Sequence, residues 1–125
     1  MRKKSLLTLA PASANVEPSD VLRELVAPSM FFQPNYLPSA DWAEYMPFGF
    51  WIIEALRPRS LVEIGTGSGN SYFAFLQAAD LLRLSLKSFL IDGRTETASS
   101  RSNQPRFDEL QNYHDSRYSA FSKLI

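Results

Sequence analysis

The chain has 125 residues, 45% hydrophobic and 13% aromatic, enough apolar material for the core of one domain. Its 13 basic and 13 acidic residues cancel, so no overall charge draws it to nucleic acid, an anionic membrane or acidic substrates. With no cysteine there is no disulfide, thiolate metal site or cysteine nucleophile, and a single histidine excludes a histidine metal cluster.

The first residues pair a basic head, Arg2-Lys3-Lys4, with a short apolar stretch, and Ala12-Ser13-Ala14 has the small residues of a cleavage site. Thr8 and Pro11 interrupt that stretch, which is too weak for a signal peptide. No run approaches the roughly 18 apolar residues of a membrane span, so a cytoplasmic location is expected. Residues 1–46 carry Pro11, Pro18, Pro28, Pro34 and Pro38, a spacing that admits only short helices such as Ser19 to Val26. The rest of this segment should be an extended arm whose Phe31, Phe32, Tyr36 and Trp42 pack on the main body.

Residues 47–125 have sharper patterns. Phe48, Trp51, Ile52, Ala55 and Leu56 fall on one face of an amphipathic helix that Pro47 opens and Pro58 ends. Ser60 to Ile64 is a short apolar run stopping at glycines, the pattern of a buried parallel strand. Tyr72, Phe73, Leu76 and Ala79 return to helical spacing, Lys87 to Ile91 reads as a second strand, and Pro105 opens a helix carrying Phe107 and Leu110. The alternation of helix and strand predicts an α/β fold with a parallel sheet.

The chemistry is concentrated between the strands. Gly65, Gly67 and Gly69 alternate directly after the first strand, a spacing that lets backbone approach a ligand closely. The helix that follows points its unpaired N–H groups into the same crevice, at the carboxyl ends of the strands. A dinucleotide fingerprint needs glycine at the sixth position of the motif, where Asn70 stands, and no Gly-Lys-Ser/Thr phosphate loop exists. Glu63 at the strand end suits an ammonium group better than a pyrophosphate. Asp92, ending the second strand, is placed to accept hydrogen bonds from both hydroxyls of a ribose. Together these features describe S-adenosylmethionine better than NAD.

The segment Met46 to Phe75, with Leu61-Val-Glu-Ile-Gly-Thr-Gly-Ser-Gly69 at its centre, resembles class I SAM-dependent methyltransferases. It looks most like the bacterial branch associated with glycosyltransferases and surface-polysaccharide biosynthesis, and Phe107 to Ile125 is similar to the helix after that branch's second strand. The resemblance implies the amino-terminal part of a doubly wound, Rossmann-like sheet and methyl transfer to a small-molecule or glycan acceptor. Its candidate cofactor contacts are Glu63, Gly65, Thr66, Gly67, Ser68, Gly69 and Asp92. The glycines would line the methionine and ribose end, Glu63 would sit near the amino group, and Asp92 would hold the ribose.

Gly93-Arg94-Thr95-Glu96 departs from the aromatic residue and Gly-Asp pair usual after that acid. The chain ends at Ile125, where the resemblance sets the start of a third strand, so two strands are expected, with no metal site and no nameable catalytic residue. Such a chain should self-associate through its sheet, fold marginally, or cover the sheet with its aromatic arm. A truncated homologue without catalysis is the competing reading, and a fragment of an NAD-dependent oxidoreductase is a weaker one. His114 beside Asp115 is expected to be a helix-surface pair, and Arg101 and Arg106 ordinary solvated charges.

Overall fold

A computed structural model describes residues 26–93 and 104–125, so the helix expected over Ser19 to Val26, Arg101 and most of the polar loop after Gly93 lie outside the described residues. Two short 3-10 turns, Pro28–Phe31 and Ala43–Tyr45, precede α1 (Met46–Leu56). β1 (Ser60–Ile64), α2 (Asn70–Leu81), β2 (Lys87–Ile91), α3 (Phe107–Arg117) and β3 (Ser122–Leu124) follow. The strands form one parallel sheet in the order β1-β2-β3, with Ser60 opposite Lys87 and Ser88 opposite Ser122. This is an α/β, Rossmann-like arrangement, and the order is that of one half of a doubly wound sheet.

The elements start and stop where local chemistry requires. Pro47 occupies the first turn of α1, where its missing N–H is no loss, and Arg57 closes the helix in the left-handed region with its N–H on Ile53 O. Gly69 caps α2 at φ +89. Arg106 precedes α3 and donates its N–H to the Glu109 carboxylate at 3.4 Å, while Asp108 and Glu109 complement the dipole of the first turn.

β3 corrects the two-strand expectation. Its three residues are too few to show a period-two pattern, and the strand is held by pairing instead. Ser88 N–H reaches Phe121 O at 2.9 Å, and Ile125 N–H reaches Leu90 O at 2.8 Å.

The core lies on one side of the sheet. Ser88, Leu90 and Ser122 point toward the helices and are buried with Phe50, Ile53, Tyr72, Phe73, Leu76 and Leu110. Each fully buried large apolar side chain contributes about 1.5–3 kcal/mol of transfer free energy. α2 is the central helix, buried along nearly all its length.

α1 presents the opposite face to the one its spacing suggested. Met46, Gly49, Phe50 and Ile53 are buried, whereas Phe48 is 53% exposed and Leu56 is also open to solvent. Gly49 explains the choice. A Cβ there would stand 2.5 Å from the Trp42 ring, so the glycine lets the arm's indole lie against the helix.

The described part of the arm packs on helices through Phe32, Tyr36 and Trp42, but Phe31, expected to pack with them, is 71% exposed at the end of the first 3-10 turn. Phe32 meets Phe50 edge-on, Tyr36 meets Phe73, and Trp42 meets Phe75. Polar side chains of α2 capture its backbone. Gln77 receives Asn35 N–H at 2.8 Å and donates to Gln33 O at 2.7 Å, and Asn70 Nδ2 donates to Ser39 O and Asp41 O. The arm is thereby committed to the helical side. Among the described residues nothing covers the other face of the sheet, where Val62, Ile64 and Ile91 are exposed.

Candidate functional site

β1 and β2 end side by side, and the candidate residues gather there. The register pairs Glu63 with Leu90 and Ile64 with Ile91, and Gly65 N–H continues the ladder onto Ile91 O at 2.8 Å. Asp92 therefore stands level with Gly65, one strand away. Glu63 and Asp92, distant in sequence, become neighbours that feel each other's charge.

Glu63 lies on the helical side, half-buried under the start of α2, where the Ser71 hydroxyl donates to its Oε1 at 2.8 Å. Burial pushes its carboxyl above the ordinary value of 4.5; hydrogen bonds oppose the rise, and the negative Asp92 adds to it. Of these causes the Asp92 charge is the smallest, so Glu63 resists ionisation chiefly because it is buried. A bound cation beside Glu63 would favour its ionised form.

The three glycines share the left-handed region, with φ +71, +60 and +89 at Gly65, Gly67 and Gly69. Their surroundings differ. A Cβ on Gly65 would meet nothing within 4 Å, and one on Gly67 would meet only the Gln104 side chain at 3.4 Å. A Cβ on Gly69 would strike Leu110 Cδ2 at 2.6 Å and the Phe73 ring at 3.1 Å. Gly65 and Gly67 therefore front the open crevice, whereas Gly69 is packed against α2 and α3.

Thr66 and Ser68 turn inward. Both are buried; Ser68 O accepts the Tyr36 hydroxyl at 3.2 Å, and Ser68 Oγ accepts Asn70 N–H at 3.4 Å. Thr66 Oγ1 lies close enough to the Glu63 carboxyl to favour its charged form, although not at strict hydrogen-bonding geometry. Ser71 is the supporting residue that sequence reasoning passed over, whereas the sequence shows Tyr36 only as an arm aromatic and Asn70 only as the place of a missing glycine. Ser71 carried no signal, because a serine in a first helical turn is commonplace.

The His114–Asp115 pair exists, with Nδ1 and Oδ1 2.7 Å apart, but it is no surface pair. His114 is only 2% exposed, and its Nε2 lies 2.8 Å from Ser122 Oγ, which in turn lies 2.7 Å from the Tyr72 hydroxyl. These distances match a serine–histidine–aspartate relay, yet Ser122 is buried and faces the helices. The cluster ties α3, β3 and α2 together. A cavity of about 290 Å³ lined by Lys87, Phe89, Ser119 and Lys123 lies at the other end of β2 and contains none of the candidate residues. Among the described residues no group of acidic or histidine side chains could hold a metal ion, and no helix is long and apolar enough to cross a membrane.

No protein-family model matches the chain, and no solved structure does. It is similar to uncharacterized protein y4gI of Sinorhizobium fredii (strain NBRC 101917 / NGR234), 44% identical over 61 residues. That match covers 48% of this chain but 7% of the relative, so the matched segment spans less than a tenth of that protein's length.

Proposed function

We propose that this chain is the cofactor-binding portion of a SAM-dependent methyltransferase whose acceptor is a small molecule or a glycan. The observation that carries the reading is the pair of carboxylates, Glu63 and Asp92, astride the open turn at Gly65. A nucleotide pyrophosphate would bring further negative charge to two acids that already repel. An adenosyl amino acid brings an ammonium for one acid and ribose hydroxyls for the other, and the lack of a Cβ at Gly65 leaves space for it. The N-terminus of α2, with no acidic residue in its first turn, suits the ligand's carboxylate.

When bound, S-adenosylmethionine would supply a methyl group on a sulfonium. The chain's own part is binding and orientation: Asp92 fixes the ribose, Glu63 takes the ammonium, and the glycine turn sets the depth of entry. A homologue that binds the ligand without catalysis fits the same geometry.

Calorimetric titration with S-adenosylmethionine, S-adenosylhomocysteine and NAD tests the reading. Adenosyl amino acids should bind more tightly than NAD, and Asp92→Ala should weaken them by about 1.5–3 kcal/mol, the scale of hydrogen bonds to charged groups. Equal or tighter binding of NAD would overturn it.

A further inference from the structure

The glycine turn has an open front and a packed back, and the arm supplies part of the back. Gly65 and Gly67 front the crevice, while Gly69 N–H closes the turn onto Thr66 O at 3.1 Å. Three left-handed glycines alternate through this short stretch. Glycine loses more backbone freedom on ordering than any other residue, so the turn has many competing shapes when nothing holds it. A ligand that had to supply the order itself would bind less tightly. The order comes instead from the packed side.

Tyr36 stands where the arm meets the turn. Its hydroxyl donates to Ser68 O at 3.2 Å, the carbonyl just ahead of Gly69. Phe73 and Tyr113 set its ring, with centroids 4.6 and 4.5 Å away, and the same Phe73 ring lies against Gly69. One residue earlier, Asn35 N–H is fixed by the Gln77 side chain. A few residues later, Asn70 Nδ2 holds the arm at Ser39 O and Asp41 O, and Asn70 N–H donates to Ser68 Oγ at 3.4 Å. Buried Ser68 is thus gripped at its carbonyl by the arm and at its hydroxyl by the residue that holds the arm.

We propose that Tyr36 is a positioning residue for the ligand turn: its hydroxyl, brought to Ser68 O by docking of the arm, keeps residues 67–69 in the shape that receives the adenosyl amino acid. Asn70 completes the latch from the start of α2. Tyr36 acts through Ser68 and not by touching the ligand. The identity of that ligand rests on the function proposed above, whereas the hold of Tyr36 on the turn does not. Coupling of this kind is reciprocal. The factor by which the docked arm raises ligand affinity is the factor by which bound ligand tightens the arm. An arm that merely covered α2 would need the Tyr36 ring and have no use for its hydroxyl.

Amide exchange of the full chain, with and without S-adenosylhomocysteine, tests the proposal. Tyr36→Phe keeps the ring and removes the hydroxyl. In the ligand-free chain it should speed exchange of Gly69 N–H by about two- to tenfold, the scale of one hydrogen bond, and weaken S-adenosylhomocysteine by a similar factor. Asn70→Ala should act in the same direction. Ile53→Val trims a buried α1 side chain at a modest loss of stability and should change neither. In the unaltered chain, saturating ligand should slow exchange at Asn35 and Ala43, which lie on the arm and outside the crevice. Unchanged Gly69 exchange in Tyr36→Phe, or an equal change in Ile53→Val, would overturn the proposal. So would ligand that binds Tyr36→Phe as tightly as the unaltered chain, or that leaves the arm amides unmoved. A chain that binds no adenosyl ligand would overturn the proposed function alone, and Gly69 exchange would then decide whether Tyr36 holds the turn.

Discussion

Replacing Gly69 with alanine separates packing from ligand approach within one loop. The new Cβ would lie 2.6 Å from Leu110 Cδ2 and 3.1–3.2 Å from the Phe73 ring, on a backbone held at φ +89. Favourable carbon contacts begin near 3.5 Å, so Leu110, which is fully buried, must retreat by about 1 Å. Overpacking of this kind costs about 1–3 kcal/mol, and the left-handed backbone adds about 1–2. Gly65→Ala has the backbone strain without the clash, so it should cost about 1–2 kcal/mol in all. Urea unfolding followed by the fluorescence of Trp42 and Trp51 reads both variants. Gly69→Ala should be the less stable by about 1–3 kcal/mol. Gly65→Ala should fold but lose adenosyl ligands. Equal stabilities would refute the packing role of Gly69, and unchanged ligand affinity in Gly65→Ala would refute the open turn as a ligand seat.

Other perturbations test separate parts of the account. Glu63 has a raised carboxyl pKa in the folded chain, so the native state holds its proton more tightly than the unfolded state does. Stability should therefore fall as pH climbs from 4.5 through the raised value, and Glu63→Gln should remove that loss at neutral pH in chemical denaturation. The same shift means that an ammonium ligand, which favours the ionised acid, should bind more weakly as pH drops through that window, releasing a proton on binding when calorimetry is compared across buffers. His114→Phe strands Ser122 and Tyr72 and should cost about 1–3 kcal/mol, with faster amide exchange confined first to Ser122–Leu124. Gly49→Ala drives a methyl into the Trp42 ring and should cost about 1–3 kcal/mol, reported by a shift in indole emission.

The strand–loop–helix–strand unit was legible because its signals are local. Ser60 to Ile64 ends at glycines, Tyr72, Phe73 and Leu76 repeat at helical spacing, and Lys87 to Ile91 is apolar and bounded. The meeting of Glu63 and Asp92 followed from the same counting, since parallel neighbours end at one level. What stayed hidden depended on distant partners. α1 carries apolar residues all round, so two stripes satisfy one periodicity, and only the arrival of Trp42 at Gly49 decides which is buried. Gly69 looks like its two neighbours until Leu110, forty-one residues later, packs on it. β3 has no pattern of its own, and the burial of His114 requires that strand to exist. Gln77 alone gave a hint, as a polar residue among Phe73, Leu76 and Ala78, and its role is to clamp the arm.

The central claim is that an adenosyl amino acid sits at the carboxyl ends of β1 and β2. A heteronuclear amide spectrum titrated with S-adenosylhomocysteine tests it most directly. The largest shifts are expected at Gly65, Gly67 and Asp92, with little change at Lys87, Ser119 and Lys123 around the far cavity. Shifts centred on that cavity, or a spectrum that saturating ligand leaves unchanged, would contradict it.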